Sequence, residues 1–168
     1  DLARPVVARM TKPRLTRGQR VIRFIEKHCR VPEGDLVGQR IVLDEFEKKF
    51  ILEVYDNPYG TRRAYLSIAK KNAKTTLVAC LVLVHLVGPV ARYNSQIISG
   101  GMSKPQAALV FTAAKKMIEL SDELSQRIHV KPSAKILRGL LMNVEYSALA
   151  REGKTTQGVS PIVAILDE

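Results

Sequence analysis

Ten residues, Ser67-Ile68-Ala69-Lys70-Lys71-Asn72-Ala73-Lys74-Thr75-Thr76, constrain the chain more than any other stretch, because they join a strand-like segment to a helix-like one. Ahead of the junction, RAYLSIA at 63–69 alternates and then turns apolar, as a strand entering a covered sheet does. Behind it, 74–87 is a nearly continuous apolar run that stops at Gly88-Pro89, which reads as a buried helix. A loop that turns into a helix N-terminus aims backbone N–H groups and the positive end of the helix dipole at one point, where nucleotide phosphates can sit. In such a loop Lys74 reaches the β- and γ-phosphates, and the Thr75 hydroxyl ligates magnesium, which takes hard oxygen ligands. Against the pattern G-x-x-x-x-G-K-[ST], the two glycine positions hold Ile68 and Ala73. Taken alone, the segment is equally readable as a basic turn ahead of a buried helix.

A second element shifts that balance. IVAILDE at 162–168 is a continuous apolar strand that delivers two acids at its end, about ninety residues after the loop. A strand of this form sets an acid at the carboxyl edge of a sheet, beside a phosphate loop. Asp167 would then hold magnesium and Glu168 would polarise the attacking water as general base. A strand ending in a solvated acidic turn is common. The ordered combination of strand, basic loop, helix and acid-tipped strand is not.

The rest of the chain supplies elements of one α/β body. Val21, Ile22, Phe24 and Ile25 lie among basic residues in a short amphipathic helix at 19–29, and VPEGDLVGQ follows as a turn. Phe46, Phe50, Ile51 and Val54 recur at helical spacing over 44–55. NSQIISGG at 94–101 reads as a strand with a glycine exit, and Ser103-Lys104-Pro105-Gln106 has capping-box spacing with proline in the first turn. The helix it opens carries the apolar stripe Ala107, Val110, Phe111, Ala114, Met117, Ile118 and Leu124. One or two short strands are expected over 135–148, and AREGKTTQGVSP is a polar loop. This order predicts an α/β P-loop fold, with a largely parallel sheet carrying helices on both faces.

Charge is unevenly spread. The 168 residues carry a net charge of +11. Residues 1–30 hold nine basic and two acidic side chains, whereas 31–60 hold three basic and seven acidic. A clustered excess of this kind suits a polyanionic partner or a solubilising tail. Two prolines and no apolar period make 1–18 a basic extended arm, with the folded body at 19–168. His28, His85 and His129 are scattered and read as structural or surface residues; Cys29 and Cys80 lack metal-ligand spacing. The longest apolar run is shorter than the roughly 18 residues of a membrane span, and no secretory leader is evident, so the expected setting is a reducing cytoplasm.

The loop and the acid-tipped strand resemble those of the large terminase subunits of tailed bacteriophages. Ala69-Lys70-Lys71-Asn72-Ala73-Lys74-Thr75 follows that family's shortened seven-residue phosphate loop, and LDEFEKKFI, SKPQAALVFTAAKKMIE and GVSPIVAILDE occur in the family's order from about Leu43 onward. The resemblance implies an ATPase that drives double-stranded DNA into procapsids, using ATP and Mg2+. It places nucleotide contacts at 69–76, with Thr75 and Asp167 at the metal and Lys70 and Glu168 as catalytic residues at the γ-phosphate and the water. Phe46 and Glu47 stand on its adenine side, Glu47 where the family commonly has glutamine; Ala73 stands where the family has glycine. Portal and small terminase subunits, a homo-oligomeric ring, no membrane, and the host cytoplasm complete the implied setting. An arginine finger would come from Arg92, Arg138 or Arg151. The family's coupling motif and nuclease domain lie beyond a Walker B strand, so the chain reads as a partial ATPase domain truncated there, with weak or no turnover alone. A helicase-like P-loop ATPase, and a basic nucleic-acid-binding module with an inactive loop, remain as alternatives.

Overall fold

The computed structural model describes residues 12–69, 73–150 and 160–166, the side chain of Ala150 excepted. Among the described residues, five α-helices and five strands follow one another as α1 Arg17–His28, α2 Glu45–Tyr55, α3 Lys74–Val87, β1 Gln96–Gly101, α4 Lys104–Glu119, α5 Asp122–Arg127, β2 Ile128–Lys131, β3 Ile136–Gly139, β4 Val144–Ala150 and β5 Val163–Leu166. The strands form one sheet in the order β2-β3-β4-β1-β5.

This is an α/β fold with a mixed sheet. β1 runs parallel to β4 on one side and to β5 on the other, while β2 and β3 join antiparallel at the far edge. The expected strands at 94–101 and 162–166 are present as β1 and β5, and the segment 135–148 supplies β3 and most of β4. β2 was not expected: its four residues IHVK bury only Ile128, too little periodicity to read.

Segment 63–69 is corrected by the structure. It forms no ladder with any described strand, and Tyr65 and Ser67 are exposed. Its alternation reflects what a strand requires of neighbours, and β5 leaves its outer edge without a described partner.

Register fixes which sheet face is covered. Ile97 lies opposite Tyr146, Tyr146 opposite Leu137, and all three are fully buried. On that face the Ser99 hydroxyl lies 2.6 Å from the Tyr146 hydroxyl and 3.5 Å from the Ala107 carbonyl of α4. The last turn of α3 lies over the same face at Gly139, where a Cβ would come 2.3 Å from the Leu86 carbonyl oxygen. Only glycine permits this approach. The helices expected on both faces are therefore gathered, among the described residues, on one. The opposite face keeps Ile98 and Leu149 half-buried and leaves Leu166 82% exposed.

The stripe of α4 is buried as its spacing requires, from Ala107 to Ile118. Leu124 is buried too, but from α5. The chain breaks at Leu120, and the Ser121 hydroxyl accepts from the Leu124 N–H at 3.3 Å to start a new helix. α1 packs on α2 and α3 through Val21 and Ile25. Burying side chains of this size contributes about 1.5–3 kcal/mol each. Thr16 and Gly18 are tied to Asp56 at the end of α2, which anchors the start of α1. No described helix is long and apolar enough to cross a membrane.

Candidate functional site

The site is set by how α3 begins and where it points. Its last turn meets Gly139, whose ladder partner is Val144, the first residue of β4, so the helix ends at the amino edge of the parallel strands. Fourteen residues span about 21 Å at 1.5 Å each. Six strand residues span about 20 Å, so the first turn of α3 faces the carboxyl edge, where β1 ends at Gly101 and β5 at Leu166. In open α/β sheets this edge is the ligand-binding side.

The N-terminus of α3 differs from the other four. α1, α2, α4 and α5 begin on Thr16, Asp44, Ser103 and Ser121, each with a side-chain oxygen suited to an N-cap. α3 begins on Ala73, which has none, and has no acid in its first turn. Its first backbone bond runs from the Leu77 N–H to the Ala73 carbonyl at 2.9 Å, so the amides of the preceding turn point out of the helix end. Ala73 itself is left-handed, with φ 54° and ψ 28°, a conformation that strains any residue with a Cβ. An exposed alanine held this way shapes the turn by which the loop enters the helix. The donor set of outward amides and a lysine, with no acid, suits an anion.

Among the residues expected at the site, Ala69 and Ala73 are exposed, while Lys74, Thr75 and Thr76 are half-buried at the start of α3. Lys70, Lys71, Asn72, Asp167 and Glu168 lie outside the described residues. What is described of the acid-tipped strand is β5, in parallel register with β1 from Ile97↔Val163 to Gly100↔Leu166. That register aims its carboxyl end at the same edge as the first turn of α3.

Glu47 has a local task that its spacing could have revealed. Its Oε2 accepts from the Asp44 N–H at 2.8 Å, the reciprocal half of a capping box built on Asp44-x-x-Glu47. Burial pushes the Glu47 carboxyl up from its ordinary range, opposed by that hydrogen bond. Phe46 is 40% exposed beside it. Arg138 is paired with Glu145 across β3 and β4 at 2.8 Å, Arg92 is exposed, and Arg151 lies outside the described residues.

Sequence reasoning missed a buried polar pair. The Tyr55 hydroxyl of α2 lies 2.9 Å from Nε2 of His85 in α3, and His85 Nδ1 is buried without a described partner. Burial, helped by Arg17 and Arg92, pushes the imidazole down to about 4. Burial pushes the Tyr55 phenol up to about 12. Thirty residues separate the two in sequence, and no spacing rule connects them. His28, by contrast, pairs with Glu123 at 2.9 Å, and His129 is exposed on β2.

Residues 45–168 match the family described as the terminase large subunit, ATPase domain. The chain is 60% identical over 154 residues to the large terminase subunit of Enterobacteria phage HK97, a match that covers 92% of this chain and 31% of that protein. Its fold superposes on the crystal structure of the HK97 bacteriophage large terminase with a TM-score of 0.85 at 58% identity, again over 92% of this chain and 31% of the other. The chain thus spans about a third of the length of these relatives. It carries the family's α/β architecture, with α3 aimed at the carboxyl edge of the sheet, and belongs to the terminase large subunit family through that family's ATPase domain.

Proposed function

We propose that this chain is the nucleotide-binding part of a motor that hydrolyses ATP to drive double-stranded DNA into a phage procapsid, the portal and small terminase subunits being partners of the whole protein in a ring. The observation that carries the nucleotide reading is α3 itself, the one described α-helix that begins without a capping oxygen, on a left-handed alanine, and directly ahead of Lys74.

The γ- and β-phosphates complete that N-terminus. Lys74 neutralises their charge, the amides at 73–76 bind their oxygens, and Lys70 steadies the γ-phosphate. Thr75 and Asp167 would hold magnesium, which would offset charge developing on the phosphates. Glu168 orients and deprotonates the attacking water, a task for a carboxylate just beyond the metal-binding acid. Phe46 lies on the adenine side. Because Glu47 is committed to the capping box, adenine recognition there relies on main-chain groups.

Calorimetric titration with a non-hydrolysable MgATP analogue tests this reading. Lys74→Ala is expected to lose binding, by about a hundredfold or more, as removal of a charge-assisted phosphate contact implies. Equal affinity of variant and parent would refute the assignment, and a parent that binds duplex DNA yet ignores nucleotide would identify an inactive loop.

A further inference from the structure

We infer that the outer face of α1, carrying Arg20, Arg23 and Lys27 together with Arg40 from the following turn, is a docking surface for the phosphate backbone of double-stranded DNA. The choice of DNA as the polyanion rests on the packaging reading above; the anionic character of the ligand does not.

Helix geometry aligns the three α1 cations. Positions 20, 23 and 27 fall within about 60° of one another around the axis, opposite the stripe of Gly18, Val21 and Ile25 buried against the body. Arg23, Lys27 and Arg40 line one shallow depression of about 610 Å³, floored in part by Ile22, in which Glu26 is the single acid. Arg40 is held there by the backbone. It pairs antiparallel with Arg30, flanked by bonds from the Val31 N–H to the Gln39 carbonyl at 2.8 Å and from the Ile41 N–H to the Cys29 carbonyl at 3.2 Å.

Two observations separate this face from an ordinary solvated one. Apart from Lys74 and Lys104 in first turns, the lysines and arginines on the other described helices meet acids: Lys48 with Glu45, Lys49 with Glu53, Lys115 with Glu119, Lys116 with Glu33 and Arg127 with Glu123. Among the described residues, Arg20, Arg23, Lys27 and Arg40 form no ion pair, although Glu26 lies within helical reach of Arg23. In addition, Arg30 and Arg40 stand directly opposite each other, a like-charge pairing that costs stability in the free chain and is relieved when a polyanion lies across it.

Dimensions favour a duplex backbone. From Arg20 to Lys27 the helix rises about 10 Å, which matches three steps of roughly 3.4 Å along one strand. No aromatic ring lines the depression, so its contacts hold phosphates without stacking on bases and are independent of sequence.

The test is fluorescence anisotropy of a duplex of roughly 20 base pairs titrated with the full chain across roughly 50–200 mM salt. The variant Arg20→Gln, Arg23→Gln, Lys27→Gln, Arg40→Gln is compared with a charge-matched control, Lys48→Gln, Lys49→Gln, Lys115→Gln, Arg127→Gln, both checked for parental thermal unfolding. Each phosphate contact steepens the salt slope by about 0.9, so the α1 variant, lacking four cations, is expected to flatten it by about 3.6 and to bind at least about tenfold more weakly at low salt, while the control stays close to the parent. Equal losses in both variants, an unchanged slope in the α1 variant, or a parent that does not bind the duplex at low salt would each overturn the inference. MgATP-analogue titration of the same samples keeps the two readings apart. Absent nucleotide binding alongside an intact α1 effect would remove the phosphate-loop assignment and leave the surface standing.

Discussion

α1 and α3 enter the same core from opposite kinds of beginning. The Thr16 hydroxyl accepts from the Gln19 N–H at 3.1 Å, the Gln19 side chain accepts from the Thr16 N–H at 2.9 Å, and Asp56 takes both the Thr16 hydroxyl and the Gly18 N–H at 2.7 Å. That helix is finished by its own chain. α3 starts on a strained alanine whose side chain offers no capping oxygen. The other four described helices begin on Thr, Asp or Ser. The open end is also the one that faces the sheet's carboxyl edge.

The largest effect is expected at the far end of α3, which Tyr55 and His85 hold against α2. His85 is held neutral, with its folded pKa lowered to about 4 from 6.5. Its contribution is therefore fully present above pH 6.5 and is lost as pH falls toward 4, on the order of 3 kcal/mol in all. Unfolding measured over this window should show the loss in the parent and a flatter profile in His85→Gln. The same slope in both would assign the acid sensitivity to other groups.

The two N-termini should respond to mutation with opposite signs. Asp56→Ala removes two charge-assisted bonds at the start of α1 and is expected to destabilise by about 2 kcal/mol. Ala73→Gly relieves the left-handed strain at the start of α3 and is expected to stabilise by about 0.5–1 kcal/mol, after the entropy that glycine adds to the unfolded chain. Denaturant melts of both variants check the contrast. A destabilised Ala73→Gly would mean that the methyl group is supported by contacts rather than strained.

These contrasts also separate what the sequence could reveal from what it could not. Local patterns were legible. The stripe from Ala107 to Ile118, the Ser103 cap and the stop at Gly88 each depend on residues within a turn or two of one another. Segment 63–69 was not, because a strand is defined by its neighbours and the alternation of RAYLSIA names none. Leu124 fitted the period of α4 by coincidence, while Ser121 followed by Asp122 and Glu123 carried the signal of a fresh helix start. At the site, Lys74 and Thr75 were legible as the first residues of a helix after a basic loop. The left-handed turn at Ala73 was not, since alanine seldom adopts it. Charge counting found the basic end of the chain, but only the Arg30–Arg40 bridge shows how a residue from the next turn joins that face.

Backbone amide NMR tests the central contrast most directly. Titration of the chain with a non-hydrolysable MgATP analogue should shift the amides at 73–76 strongly, at the open end of α3, and leave those of Gly18 and Gln19 in place, because the start of α1 is already satisfied by Asp56 and Thr16. Unmoved amides at 73–76 under saturating analogue, or equal shifts at both helix starts, would contradict the account.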